Sequence, residues 1–515
     1  MNEDDIRKLL DNLYGMLFEY NKKLVEKSNN IEAGRSTVEI FDLYITSNAL
    51  GLVKNLFYDR ELIHSPCVFM NARNILEGLA IKRFCLSDDC LDINEIILKN
   101  QYVFIEYNQY KRFNDIASVV QIPNDLLTKY NETINICCDL LKNQYTKKSI
   151  EKIAKMQNPF FIDKDLSYRY MVDKYLGQKF FKLYSQLSWY VHPNDNTYYN
   201  NIEESCCLVD ILELILEEYS TLPSNSSNLS FWSNILFKEL PNYNFLEATI
   251  NQAKELNRVS SFLLTYGGIA DNYVADTLNT IAFIIIDMAY DSILSLSEQV
   301  KSKWKTLVET LAVFYYFHEH CDNEYYVELM KFHSIIQKKR NANEEYFDVM
   351  LQAFLYYKEN INGNCFEQAF RINFGKTLGY LVDSNCLTKT ITEYVCDFLN
   401  KVGEDFNIEA RLMILDYRES QMLSHANGYM WYSNTGAWSE NNSIIIGTDI
   451  CVVYILECIS KKYKRKMDEK IVEYNKTTLN LFRNIIKRIN LNSEEKKKIL
   501  DLPRMNAFDI IKCND

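Results

Sequence analysis

Apolar side chains recur at three- and four-residue intervals along most of the 515-residue chain, a spacing that gathers them on one face of an α-helix. Ile6, Leu9, Leu10, Leu13, Leu17 and Tyr20 define an amphipathic helix over residues 4–27. From Val38 to Tyr58 the chain is apolar on most sides, which predicts a buried helix, and Pro66 opens a third, because proline suits a first turn whose N–H has no helical partner. Further helices are expected over 92–116, 124–142, 165–190 and 203–219. Residues 222–228, Leu-Pro-Ser-Asn-Ser-Ser-Asn, have a linker's composition, and 229–260 reads as short connecting helices. A long polar helix is expected from Lys461, and Asn492 caps a short last one. Only 14 Gly and 7 Pro are present, so tight turns are few and helices long.

The pattern repeats once. Tyr58-Asp59 matches Tyr290-Asp291, and Leu76-Glu77-Gly78-Leu79-Ala80 matches Val308-Glu309-Thr310-Leu311-Ala312, both 232 residues on. Tyr184 and His192 match Tyr417 and His425 at an offset of 233. A near-constant offset over so long a stretch predicts a tandem duplication, with a period far above that of a short-repeat solenoid. The reading is an all-α chain of two tandem, duplicated helical bundles with a C-terminal helical extension. Residues 1–222 form the first bundle, 223–262 the linker and connecting helices, 263–462 the diverged second copy and 463–515 the extension.

Composition narrows the function classes. A net charge of −12 gives the surface no general attraction for nucleic acid, so RNA would need a local patch, for which Lys461 to Lys466 is the best candidate. No DNA-specific motif and no Gly-rich phosphate loop is present, and no nucleotide cofactor is expected. The fourteen Cys lack the spacing of a disulfide framework and read as reduced core residues, which with an acidic, unhydrophobic start at Met1 predicts a cytoplasmic protein. The most apolar segment, Ile444 to Ile459, is interrupted by Asp449 and Glu457, and no membrane span is expected. His318, His320 and Cys321 are too closely spaced to make a metal site on a helix, so no metal is expected.

The candidate chemistry lies in the repeated segment. Tyr184, Ser188 and His192 fall at i, i+4 and i+8, followed by Asn194, and Tyr417, Gln421 and His425 do the same, followed by Asn427. In a helix each set lines one face with its His in the last turn. Arg73 and Glu77, one turn apart, and their counterparts Lys305 and Glu309 add a cation and a carboxylate on a facing helix. Such sets either satisfy one another as a buried network that fixes helix register or form a site. Arg418 stands two turns before His425, where an imidazole could move the proton of a ribose hydroxyl while a guanidinium holds the phosphate. The helix end is expected to favour the charged imidazole. Beyond His425, residues 428–442 carry Tyr429, Trp431, Tyr432 and Trp438, rings able either to stack on bases or to pack on the bundle.

Two resemblances follow from these residues. Arg73-x3-Glu77 with Tyr184-x3-Ser188-x3-His192-Pro193, over residues 40–220, resembles a bacterial family of helical domains of unknown function often found beside phage-defence genes. The second half departs from that pattern, with Lys305 for the arginine and Gln421 for the serine. Arg418-x6-His425 resembles the Arg-x4-6-His motif of HEPN (higher eukaryote and prokaryote nucleotide-binding) ribonucleases. That resemblance implies metal-independent RNA cleavage by Arg418 and His425, supported by Tyr417, Asn427, Glu309 and Lys305, and a homodimer or a protein partner encoded nearby. The competing expectation is a non-catalytic helical sensor or interaction protein in which these sets are structural.

Overall fold

The computed structural model describes residues 3–28, 36–58, 66–87, 128, 132, 167–188, 202–223, 243–294, 296–320, 391–426, 430 and 437–489. Among them the chain is all-α, with thirteen helices and no strand. The first half holds α1 (Glu3–Ser28), α2 (Thr37–Tyr58), α3 (Pro66–Cys85), α4 (Tyr168–Leu176), α5 (Gln178–Leu187) and α6 (Ile202–Glu218). The second holds α7 (Tyr243–Tyr266), α8 (Ile269–Ile293), α9 (Ser297–His320), α10 (Ile391–Phe406), α11 (Arg411–Leu423) and α12 (Ala437–Lys462), with α13 (Glu469–Ile489) after it. None of the described helices is long and apolar enough to cross a membrane. The helices expected at 92–116 and 124–142, and the short one at Asn492, lie outside the described residues.

Packing follows the same order in both halves. α2 lies between α1 and α3, and α3 packs on α4 and α5; α8 lies between α7 and α9, and α9 packs on α10, α11 and α12. Two helices make this possible by burial on nearly every side: from Ile40 to Asn55 and from Pro66 to Lys82 every side chain of α2 and α3 is buried. Gly78 lets them approach, since a Cβ there would stand 2.6 Å from Cγ1 of Ile45.

Three elements differ from expectation. The helix foreseen over 165–190 is broken in two at Gly177, whose φ of 89° lies in the left-handed region that glycine alone enters freely and whose N–H caps α4 at Val172 and Asp173. The stretch read as short connecting helices contains one 24-residue helix, α7, packed along α8. The chain also leaves the helical path after Lys462, with Lys464 at φ 50°, before α13 resumes with Ile471, Leu479 and Phe482 buried.

The two interiors are not closed off from each other. Leu296, Leu423, Ala426 and Met430 of the second half belong to the first half's core, and Cys67 and Met70 of the first belong to the second's. Between the cores sits a buried ion quartet. Lys54 Nζ of α2 and Lys303 Nζ of α9 each lie 2.6 Å from a carboxylate oxygen of Asp287 on α8, and both also bond Asp291. All four side chains are fully buried, and Asn55 donates a further bond to Asp287. Burial would strip the proton from Lys303, but Asp287 and Asp291 outweigh it and hold the ammonium well above its ordinary range. Two cations and two anions leave the group neutral, the condition under which charge is tolerated in an interior.

Candidate functional site

The functional candidates converge on Glu77. Its carboxylate, on α3, is fully buried, and Oε1 receives the Arg73 guanidinium at 2.6 Å and the Tyr184 hydroxyl of α5 at 2.7 Å. Arg73 sits one helical turn before Glu77, the spacing that stacks i and i+4 side chains, and also bonds Tyr184 and Ser188 at 3.4 Å and Asn74 at 3.3 Å. Asn74 in turn donates to Asn48 of α2. The sequence-predicted set Arg73, Glu77, Tyr184 and Ser188 is thus brought together, while His192 and Asn194 lie outside the described residues.

Glu77's second oxygen faces the other half of the chain. Nδ1 of His425 stands 3.5 Å from Oε2, too long for a strong hydrogen bond, and both atoms are buried with no other partner. The imidazole lies flat against Tyr168 of α4, with centroids 5.6 Å apart and planes 9° apart. Only 12% of the side chain is exposed. His425 is not in the last turn of a helix, as its spacing from Tyr417 suggested. α11 ends at Leu423, Ser424 forms the cap, and the chain then inserts Ala426 and Met430 into the first half's core.

This placement sets the charges. Burial is the largest influence on His425 and lowers its pKa; Glu77 opposes it, Arg73 and Lys305 reinforce it, and the net position is below the ordinary imidazole value. The expected bias toward a charged imidazole is therefore overturned by desolvation. Burial would raise the Glu77 carboxyl, yet Arg73, then His425 and Tyr184, hold it below its usual range. Neutral His425 beside an ionised, arginine-paired Glu77 is the resulting state at neutral pH.

The second half repeats the inner part of this arrangement with weaker geometry. Lys305 meets Glu309 at 3.3 Å and Tyr417 donates to Glu309 at 3.1 Å. Gln421, in the place of Ser188, donates to the Tyr417 hydroxyl at 2.8 Å and to Thr392 of α10 at 3.1 Å. Arg418 is half-buried on α11 and lowers the pKa of the Cys396 thiol on α10 against the larger upward pull of burial, whereas the charged groups acting on His425 are Glu77, Arg73 and Lys305. Asn427 and most of the aromatic stretch 428–436 lie outside the described residues. In the basic run, Lys462 donates to the His318 carbonyl and Arg465 lies over the Phe262 ring, 3.9 Å from Glu255. His318 itself stacks on Phe314.

No protein-family model, no curated protein and no solved structure matches the chain.

Proposed function

We propose that this chain is a non-catalytic helical sensor or interaction protein, in which Arg73, Glu77, Tyr184 and His425 hold the two halves in register. One observation carries the reading: a carboxylate with no exposed surface is bonded by Arg73 and Tyr184 of its own half and faced by His425 of the other. A network whose members answer one another across an interior specifies a single packing. A general acid, by contrast, must reach its substrate within hydrogen-bonding distance, and this imidazole is packed on Tyr168 with Nδ1 turned to Glu77. The resemblance to helical domains found beside phage-defence genes supports a place in bacterial defence or stress response, with a partner protein reading its state.

A tandem duplication underlies this arrangement in the same proposal. It is supported by the matching helix order of the halves and by Asn55 and Asp287, which correspond at the offset of 232 and bond each other, as residues near a pseudo-twofold axis do.

The test compares wild-type protein with Arg418→Ala and His425→Ala, each assayed for cleavage of single-stranded RNA and for melting temperature. The expected result is no cleavage by any of the three, an Arg418→Ala protein that melts close to wild type, and a lower melting temperature for His425→Ala. RNA cleavage by the wild type that both variants lose at an unchanged melting temperature would overturn the proposal in favour of the HEPN-like ribonuclease.

A further inference from the structure

The exposed end of α7 and the basic run that follows α12 meet at one corner of the second half. α7 packs on α8, α12 and α13, with Ala253, Leu256, Val259 and Leu263 on its core side. Its outward side carries Lys254, Arg258, Phe262 and Tyr266, all exposed. Each stands one helical turn from the next, a row about 18 Å long at a rise of about 1.5 Å per residue. Ten large hydrophobics are exposed among the described residues, and three of them, Phe262, Leu264 and Tyr266, fall within the last five residues of α7. Tyr266, at 77%, is the most exposed of the ten. Single exposed apolar residues are ordinary, whereas a cluster of them marks a contact surface.

The turn after α12 brings cations against this row. Lys464 takes a φ of 50°, in the left-handed region that a lysine enters only at a cost, and the chain leaves its helical path there. Tyr463 donates to Asp271 at the start of α8 at 2.8 Å, which fixes the corner in place. Arg465 then lies over Phe262, 5.4 Å from the ring centroid, and the Phe262 and Tyr266 rings are 5.2 Å apart. Lys464 and Lys466, on either side of Arg465, are exposed. Residues 461–470 hold six Lys and Arg against Asp468 and Glu469, and Asp468 is engaged in capping α13 at the Lys470 N–H. Glu255, the buried carboxylate beside the row, is bonded through both oxygens by Arg258 at 2.6 Å. The corner is therefore locally cationic in a chain of net charge −12.

We propose that this row and corner form a docking surface for single-stranded nucleic acid, with Lys254, Arg258, Lys464 and Lys466 toward phosphates and Phe262 and Tyr266 toward base faces. Cations set beside exposed rings match a strand in which charge repeats with every nucleotide and each base offers a flat face, a mode of binding that reads little sequence. A duplex offers the same phosphates but keeps its bases stacked on one another, and so leaves the rings unused. An anionic membrane calls for an apolar face along a whole helix. Here the exposed large hydrophobics among the described residues of α7 lie in its last five residues, and its other sides are held by three helices. None of these residues belongs to the Glu77 network, and binding at this corner requires no cleavage.

Fluorescence anisotropy of a fluorescein-labelled oligouridylate of about 20 nucleotides, titrated with the full-length protein, tests this. The wild type is expected to bind saturably, with an affinity that falls as salt rises. Tyr266→Ala is expected to weaken binding roughly fivefold or more through the loss of a stacked base. Lys254→Glu combined with Lys466→Glu is expected to weaken it roughly tenfold or more and to flatten the salt dependence. All three side chains are exposed, so both variants should keep the wild-type melting temperature. Lys22→Glu combined with Lys23→Glu makes the same charge change at exposed positions of α1 and is expected to bind within about twofold of wild type. No saturable binding by the wild type, an affinity unmoved by Tyr266→Ala, or an equal loss in the α1 control would each overturn the proposal. So would a protein that ignores the oligonucleotide and sediments with phosphatidylserine vesicles.

Discussion

Replacing Lys54 with Met is expected to lower the unfolding free energy by roughly 3–5 kcal/mol, the scale measured when one member of a buried ion pair is removed. Lys54 and Lys303 together neutralise Asp287 and Asp291 where no water reaches. Without Lys54 the interior holds two carboxylates and one ammonium. A second substitution separates this from simple loss of packing: Lys54→Met combined with Asp291→Leu leaves Lys303 and Asp287, still 2.6 Å apart, as a neutral pair. The double variant should therefore be more stable than Lys54→Met alone, a non-additivity that a double-mutant cycle in chemical denaturation reads directly. A loss within about 0.5 kcal/mol, typical of an exposed lysine, would mean that the quartet is not buried as described.

The second large effect is at Glu77. Truncation to Ala strands the Arg73 guanidinium, itself only 6% exposed, removes the acceptor of Tyr184 and takes away the carboxylate facing His425. The expected cost is again roughly 3–5 kcal/mol. Glu309→Ala is the internal comparison. Its ammonium partner Lys305 lies 3.3 Å away rather than 2.6 Å, and a lysine on a flexible stem can turn to other acceptors more readily than a planar guanidinium held in a fork. Glu309→Ala should cost less by on the order of 1 kcal/mol. Equal losses in the two denaturation curves would show that the tighter geometry around Glu77 adds nothing.

Much of the architecture could be read from residue spacing. Three-and-four periodicity locates α1 closely, a stretch apolar on most sides locates α2 and Pro66 the start of α3, and the offset between Glu77 and Glu309, and between Tyr184 and Tyr417, points to the carboxylate–hydroxyl pairs that form in both halves. What spacing could not show is where the chain leaves a helix. Arg418 and His425 look like neighbours two turns apart only if the helix continues, but α11 stops at Leu423, and the imidazole crosses to Glu77 while Arg418 stays against Cys396. The break at Gly177 is hidden for a related reason: a lone glycine within a periodic stretch does not declare a positive φ.

The quartet also leaves a trace in the sequence. Lys54 lies between Val53 and the Leu56-Phe57 pair in a helix apolar on most sides, and Asp287 follows Ile284-Ile285-Ile286. Charged residues embedded in apolar runs are rarely buried without a partner of opposite sign, so two such runs with opposite charges could have been matched. Asp449 in its own apolar run is a mark of a different kind: burial raises its pKa well above the usual carboxylate range, and the Thr249 hydroxyl donates to it.

Scanning calorimetry of the intact chain tests most directly whether the halves form one structure across this buried polar seam. Cores that exchange Leu423, Ala426 and Met430 for Cys67 and Met70, with a fully buried ion quartet between them, should unfold together, giving a single endotherm whose calorimetric enthalpy equals its van't Hoff enthalpy. Two resolved endotherms, each carrying about half of the heat, would contradict it.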